Sequence, residues 1–121
     1  MAKVFAHRHK STLALRHRRD VLMHQLKVPP TLIRASVVER FGTCGSPNCR
    51  CRSGQKHGPY YYLTQCLAPG KIRKFLLKTE AAQQAARRGT AAFSEFYDQL
   101  EELSQINTEL LRRGEAFDSE A

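Results

Sequence analysis

The stretch Cys44–Tyr60 reads C-G-S-P-N-C-R-C-R-S-G-Q-K-H-G-P-Y, and it organises the rest of the chain. Three thiols and one imidazole fall within fourteen residues, separated by glycines, prolines and small polar residues that cannot build a core of their own. A cluster of this composition is typical of a metal site. The candidate metal ligands are Cys44, Cys49, Cys51 and His57.

The spacing C-x4-C-x-C-x5-H predicts one structural zinc ion. Zn²⁺ prefers four tetrahedral ligands drawn from thiolate sulfur and imidazole nitrogen, and a closed set of four is typical of structural rather than catalytic sites. Two alternatives stay open on spacing alone. Cys66 is an alternative fourth ligand in place of His57, and the cysteines at 49 and 51 are an alternative redox pair beside basic neighbours.

Few residues suited to catalysis accompany this cluster. Before residue 91 the carboxylates are Asp20, Glu39 and Glu80, and none lies in a motif beside the cysteines. The sequence has no phosphate-binding glycine loop, no Ser/His/Asp arrangement and no H-E-x-x-H motif. We therefore expect no catalytic residues, and an enzyme is the less favoured class, with a metal-dependent nuclease or a redox protein as its remaining forms.

The compartment is suggested by what the sequence lacks. No run approaches the roughly 20 apolar residues of a membrane span, and residues 1–10 are polar and basic, without the apolar region of a secretory signal. These features predict a cytoplasmic protein with no membrane partner. In a reducing compartment the four cysteines are expected as ligands rather than disulfides.

Outward from the cluster, the hydrophobic patterns predict an α+β fold. Leucines at helical spacing predict an N-terminal helix over residues 11–27, which two prolines end. Alternating and β-branched runs at 33–41, 60–67 and 72–78 predict a three-stranded antiparallel meander, with the cluster as a zinc-knuckle-like insertion between the first two strands. A long C-terminal helix is predicted over 91–113.

The boundaries follow from the same patterns. A helical segment begins at Thr79, and Gly89-Thr90 predicts either a break or a tolerated kink before the last helix. Residues 11–113 are expected to form one zinc-stapled domain. A flexible basic arm at 1–10 precedes it, and a frayed acidic tail at 114–121 follows it.

The distribution of charge favours a nucleic-acid partner. Residues 1–90 carry 18 Lys and Arg against 3 Asp and Glu, whereas residues 91–121 carry 2 against 8, for a formal net charge of +9. A basic body attracts polyanions because neutralised phosphates release counterions, although a basic surface can also serve solubility alone. The tyrosines at 60–62 can stack on bases, but tyrosines on an alternating strand more often pack half-buried. The predicted nucleic-acid contacts are Arg16, Arg18, Arg19, Arg50, Arg52, Lys56, Lys71, Arg73 and Lys74.

The C-terminal helix carries a heptad that suits either its own chain or a second copy. A polar asparagine at one seam position is the type of residue that sets register in parallel dimers, although the flanking positions lack the charges that usually select coiled-coil partners. A homodimer is therefore a candidate assembly. The predicted dimerisation residues are Phe93, Phe96, Leu100, Leu103, Asn107 and Leu110.

The motif C-G-S-P-N-C-R-C at 44–51, followed by G-x-x-H-G-P-Y at 54–60 and G-K-x-R at 70–73, resembles a bacterial and archaeal domain family of unknown function. Members of that family are short proteins in which a C-G-x-x-x-C-x-C and H-G-P-Y core precedes a hairpin and a long helix, and some lie near transposon genes. The resemblance covers about residues 13–112. It implies that the four candidate zinc ligands act as a set and that Cys66 has no counterpart in the pattern.

Together these observations predict a small zinc-binding protein that contacts DNA or RNA through its basic body, and the resemblance adds an association with a mobile element. The alternative is a zinc-stapled interaction module that dimerises through the C-terminal helix and has no nucleic-acid role. The two differ in whether the basic surface or the helical heptad carries the function.

Overall fold

In the described residues, two α-helices, one short 3-10 helix and one three-stranded sheet form the secondary structure. A computed structural model describes residues 3–43, 46 and 48–115, without the side chains of residues 51 and 52. The elements are α1 (Thr12–Gln25), β1 (Ser36–Gly42), a short 3-10 helix (Arg50–Ser53), β2 (His57–Ala68), β3 (Lys71–Leu76) and α2 (Glu80–Arg112). The predicted α+β fold is thereby confirmed.

The predicted insertion between the first two strands is described only in part, because positions 44, 45 and 47 lie outside the described residues. Within the described part of the chain, neither helix has the length and apolar character needed to cross a bilayer.

Helix α1 begins and ends where its local sequence allows. The Ser11 hydroxyl oxygen accepts a hydrogen bond from the Ala14 amide at 3.0 Å, which satisfies one of the unpaired donors of the first turn. Leu26 leaves the helical conformation just before Pro29-Pro30, as expected ahead of residues that cannot continue a helix.

The sheet has strand order β1-β2-β3, and both pairs are antiparallel. Gly70 closes the β2–β3 turn at φ +77°, a conformation that glycine adopts without steric cost. A register shift between Arg40 and Gly42 disturbs the β1–β2 ladder near the Cys/His segment. The sheet therefore brings the end of β1 beside the start of β2, at the two ends of that segment.

Helix α2 runs without interruption through Gly89, where a break or kink was predicted. A side chain at this position has no room, because a Cβ there would lie 2.6 Å from Ile33 Cδ1 and 2.7 Å from the Thr31 carbonyl oxygen. The Ile33 amide also donates to the Gly89 carbonyl at 3.0 Å. Glycine is thus required at this position for a close approach of the chain before β1 to the helix.

The chain divides into two compact units, each with its own core. The first comprises the described residues up to Pro30 and from Phe93 onward, and the second comprises Thr31–Ala92. The first core joins α1 to the later turns of α2, and the second joins one sheet face to the first turns of α2. Their buried residues are Leu15, Leu22, Ile106 and Leu110 in the first, and Leu63, Leu77 and Ala86 in the second.

The segment predicted as a flexible basic arm lies against α2 in its described part. The Phe5 amide donates to Gln105 Oε1 at 2.9 Å, and Gln105 Nε2 donates back to the Lys3 carbonyl at 2.7 Å. Arg113 adds a hydrogen bond to the Lys10 carbonyl at 2.7 Å. Of the predicted acidic tail, residues 116–121 lie outside the described residues.

Candidate metal site and nucleic-acid interface

Two of the four predicted zinc ligands meet at the start of β2. Cys49 directly precedes the 3-10 helix, Gly54 ends that helix at φ +115°, and His57 opens the strand. This tight turn brings Cys49 Sγ to 3.0 Å from His57 Nε2, with both side chains half-buried. The two atoms therefore lie at hydrogen-bond distance, and either nitrogen of the imidazole can carry its proton.

This pair fits a zinc site. Bond lengths of about 2.3 Å to sulfur and 2.0 Å to nitrogen place two ligand atoms of a tetrahedral ion about 3.5 Å apart, so a small outward shift of Cys49 and His57 would admit one. Among the described side chains, no third His, Cys, Asp or Glu joins them. Cys44 lies outside the described residues, and Cys51 is described in its backbone only. Completion of the set thus rests on those two cysteines.

Cys66, the alternative fourth ligand, lies far along the strand from this pair. It follows His57 by nine residues of β2, which at about 3.3 Å per residue corresponds to about 30 Å. Its thiol is exposed and donates to the Ala68 carbonyl at 3.4 Å. Cys66 therefore cannot share one ion with Cys49 while His57 lies beside Cys49.

The glycine of the H-G-P-Y motif has a structural reason. Gly58 has φ +138°, and a Cβ there would lie 2.7 Å from Phe41 Cδ1 and 2.9 Å from the Arg40 carbonyl oxygen. Only glycine permits the end of β1 to approach the start of β2 this closely. The approach places Arg40 opposite Tyr60 in the ladder.

Alternation along β2 separates the three consecutive tyrosines. Tyr61 packs with Leu63 against the first turns of α2, and the Arg87 guanidinium lies 4.9 Å from its ring centroid. Tyr60 and Tyr62 point to the opposite side of the sheet, because successive side chains of a strand alternate. Tyr61 thus packs half-buried, as is usual for a tyrosine on an alternating strand, whereas packing does not explain its two neighbours.

The side of the sheet that carries Tyr60 and Tyr62 is here called the outer face. Cross-strand pairing puts Arg40 on the same side, level with Tyr60. Lys74 on β3 shares this face, and its ammonium lies 4.7 Å from the Tyr62 ring centroid, within cation–π range. The outer face therefore presents two aromatic rings with one cation on each neighbouring strand.

A concave site forms where the outer face meets the Cys/His segment. Its volume is about 240 Å³, and it contains aromatic rings, two cations and the candidate ligand imidazole. We call it the cup, and its principal lining residues are Arg40, Phe41, His57, Tyr60, Tyr62 and Lys74.

A family model described as a domain of unknown function, DUF6788, matches residues 13–86. The chain belongs to the DUF6788 family. The matched region contains α1, the Cys/His segment, the whole sheet and the first turns of α2, and it ends well before residue 112, to which the resemblance extended. No curated protein and no solved structure matches the chain.

Within the DUF6788 region, two of the three arginines of α1 lie beside acidic residues of the C-terminal part of the chain. Arg18 makes two hydrogen bonds to the Glu102 carboxylate, at 2.6 and 2.8 Å, and Arg16 lies 3.5 Å from Glu115 Oε2. Arg19 is half-buried, and its Nη1 atom is buried without a hydrogen-bond partner among the described residues. These three predicted nucleic-acid contacts are thus at least partly enclosed within the first unit.

The other predicted contacts belong to the second unit. Besides Lys74 in the cup, four of these predicted contacts are exposed, namely Arg50 and Lys56 of the Cys/His segment and Lys71 and Arg73 of the hairpin. The side chain of Arg52 is not described. Sequence reasoning missed Arg40, whose place on the outer face depends on strand register rather than on any local signal.

The predicted dimerisation residues, which lie beyond the DUF6788 match, separate into two groups. Leu110 is fully buried in the core of its own chain, and Leu103 packs against that core. Phe93, Phe96 and Asn107 are half-buried, while Leu100 is exposed. The intrachain core thus uses Leu103 and Leu110 of the predicted seam, and Leu100 is the exposed member of the set.

Proposed function

We propose that this DUF6788 protein is a small zinc-binding protein that binds nucleic acid through the outer face of its sheet. The observation that carries the proposal is the convergence of Tyr60 and Tyr62 with Arg40 and Lys74 on one exposed surface. Aromatic rings flanked by cations suit a polyanion that also carries stackable bases.

The charge of the two units supports the same surface. Residues 31–92 carry 11 Lys and Arg against 2 Asp and Glu, whereas the remaining residues carry 9 against 9. The entire net charge of +9 therefore belongs to the unit that contains the sheet. Phosphate attraction is expected there rather than at α1, where Arg18 pairs with Glu102 of α2 and Arg16 with Glu115.

Zinc has a structural role in this proposal. Cys44, Cys49, Cys51 and His57 would hold the ion, and the ion would lock the connection between β1 and β2. That connection keeps Arg40 level with Tyr60, so metal binding would preorganise the cup without taking part in chemistry. Because the chain resembles proteins that are encoded near transposon genes, we propose the DNA or RNA of a mobile element as its partner.

The test is binding of the purified protein to a fluorescent oligonucleotide at increasing salt concentration. We expect the affinity to fall steeply between 50 and 200 mM salt, because counterion release dominates phosphate binding. Lys74→Gln should weaken binding, whereas Lys27→Gln, which removes the same charge from an exposed position of the neutral unit, should not. Binding that does not depend on salt, or the absence of binding, overturns the proposal. If the two variants weaken binding equally, the outer face is not the binding surface.

A second candidate function, an assembly module, is favoured by one feature of α2. Six residues at 4-3-4-3-4 spacing form a stripe on this helix: Phe93, Tyr97, Leu100, Ser104, Asn107 and Leu111. The Asn107 Oδ1 atom is buried without a hydrogen-bond partner among the described residues, beside the exposed Leu100 and Leu111. A second copy of the stripe could supply the missing donor, as seam asparagines do in coiled coils.

Light scattering tests this candidate. Leu100→Glu should convert a dimer to a monomer, whereas Leu13→Glu, at an exposed position of α1, should leave the mass unchanged. A monomeric parent protein at micromolar concentration eliminates the candidate.

A further inference from the structure

We infer that the cup takes an unpaired base, so that the nucleic acid bound by this protein is single-stranded. The inference rests on the proposed function and narrows it to a class of ligand. It concerns how the aromatic rings of the cup are presented and which forms of nucleic acid can reach them.

The first argument is the accessibility of the rings. The Tyr60 residue is 42% exposed and Phe41 is 55% exposed, and both line the cup. Large exposed aromatic residues on an otherwise charged surface lose their contact with water when they stack on a planar ligand. The Tyr62 ring is less available for stacking on a base, because the Lys74 ammonium already lies over it. Tyr60, with Phe41 beside it, is therefore the stacking surface.

The second argument is the position of the cations around those rings. Arg40 lies on β1 and Lys74 on β3, so they stand on either side of the β2 tyrosines, on strands about 10 Å apart. A backbone that crosses the sheet can place phosphates near both cations while one base turns into the cup between them. This arrangement combines backbone attraction with base stacking, as in proteins that bind single strands with little sequence preference.

The third argument is that a duplex cannot use these features together. Each base in a double helix is stacked on its neighbours, so its faces are closed to Tyr60 unless the base is extruded. Duplex readers commonly insert a helix into the major groove. The arginine-rich helix of this chain, α1, belongs to the unit with no net charge, and its Arg18 is held by Glu102. A duplex could therefore bind exposed cations but not the aromatic rings of the cup.

The experiment compares matched oligonucleotides with the full-length protein at one salt concentration. The probes are a 12-nucleotide single strand as DNA and as RNA, the corresponding duplexes, and a strand with an abasic centre that keeps every phosphate. We expect the single strands to bind about 10-fold more tightly than the duplexes. The abasic strand should lose this advantage, and the DNA and RNA arms identify which sugar is preferred.

Variants at Tyr60 locate the effect. Tyr60→Leu should weaken single-strand binding about 5- to 150-fold, the loss expected for one stacked base, and leave duplex binding unchanged. Tyr60→Phe keeps the ring and should bind like the parent. Tyr97→Leu, at a similarly exposed tyrosine outside the sheet unit, is the matched control.

The outcomes separate the two proposals. Duplex binding as tight as single-strand binding, or equal affinity for the abasic and intact strands, overturns the single-strand inference and leaves nucleic-acid binding in place. Absence of binding to every probe overturns the proposed function itself. The abasic comparison needs no variant, so a folding defect in Tyr60→Leu does not obscure the answer.

Discussion

The Arg18 guanidinium donates two hydrogen bonds to the Glu102 carboxylate, at 2.6 and 2.8 Å. The pair raises the pKa of Arg18 and lowers the pKa of Glu102, chiefly through the hydrogen bonds themselves. An arginine that the sequence suggested for phosphate contact thus joins α1 to α2. The pair neutralises one of the three arginines of α1.

Arg18→Met, which keeps the apolar stem, should lower the free energy of unfolding by about 1 kcal/mol at pH 7. The estimate is modest because the Arg18 side chain is 40% exposed and solvent screens the pair. Since the folded pKa of Glu102 lies below the ordinary 4.5, the contribution is complete above that pH and is lost as pH falls through the folded value. Urea titrations at pH 7 and pH 3 measure the difference in unfolding free energy between the parent and Arg18→Met at each pH.

A difference between parent and variant that is equally large at pH 3 would contradict this explanation. Lys27→Met, at an exposed position of the chain after α1, controls for the loss of charge alone. Hydrogen bonds from Arg112 and Arg113 lower the pKa of Glu109 to about 2. This carboxylate and its two arginine partners are the same in the parent and in both variants. That group therefore contributes equally to the acid behaviour of all three proteins.

His7→Phe should stabilise the protein, increasingly so as the solution is acidified. The imidazole is 4% exposed and stacked on Phe5, and neither ring nitrogen has a hydrogen-bond partner among the described residues. Burial, followed by the nearby charge of Lys10, lowers the His7 pKa below 6.5. The unfolded chain then binds a proton more readily, so stability declines as pH falls from about 6.5 toward the folded pKa.

Thermal unfolding from pH 7.5 to pH 5 measures this effect. The gain in His7→Phe should reach about 1 to 3 kcal/mol, the cost of burying an unpaired polar group. His9→Phe, at an exposed histidine two residues away, should show no such gain. A parent and His7→Phe protein with parallel pH profiles would refute the assignment.

Gly89→Ala should destabilise the protein, although alanine ordinarily favours a helix by about 1 kcal/mol. The added methyl would meet the Thr31 carbonyl oxygen and the Ile33 side chain at distances under 3 Å. We expect a net loss of about 1 to 3 kcal/mol in a denaturant titration, because backbone atoms must move to relieve the clash. Arg88→Ala, at the preceding exposed position, should have little effect, and a more stable Gly89→Ala protein would show the approach to be looser than described.

Cys49→Ser should lose bound zinc and unfold at a lower temperature, whereas Cys66→Ser should do neither. The reason is that Cys49 lies beside His57 while Cys66 lies far along β2. Elemental analysis of the purified proteins should give about one zinc per chain for the parent and for Cys66→Ser. The loss of zinc from Cys49→Ser should lower its unfolding temperature, because metal binding contributes folding free energy. A parent protein that is fully stable after chelation and carries no metal would end the zinc proposal.

The predicted elements and the structure agree most closely where the signal is local. The double proline that ends α1 acts within a few residues, and the helix stops ahead of it as the pattern predicted. The Gly89 position was ambiguous because its reason, a close approach by Ile33, involves a residue more than fifty positions away. Propensity alone cannot distinguish a helix break from a helix that needs space for a neighbour.

The candidate site divides in the same way. The Cys/His spacing predicts Cys49 and His57 as members of one ligand set, and these two residues lie in one short turn with their side chains 3.0 Å apart. Arg40 and Lys74 join Tyr60 only through the register of three strands, and a shift of one residue would move each to the other face. The cup therefore could not have been found from the run of tyrosines alone.

Local sequence was thus sufficient for the class of fold, the order of the elements and the pairing of one thiol with one imidazole, because capping, turns and short loops depend on near neighbours. Tertiary structure decided which charges face solvent. Residues 1–90 are basic along the chain, yet folding sets Arg16 and Arg18 of α1 beside Glu115 and Glu102 and leaves the sheet unit with the entire net charge. Electrostatic neutralisation acts between atoms a few ångströms apart, whatever their separation in sequence, so only the folded chain could place the basic surface beside Tyr60.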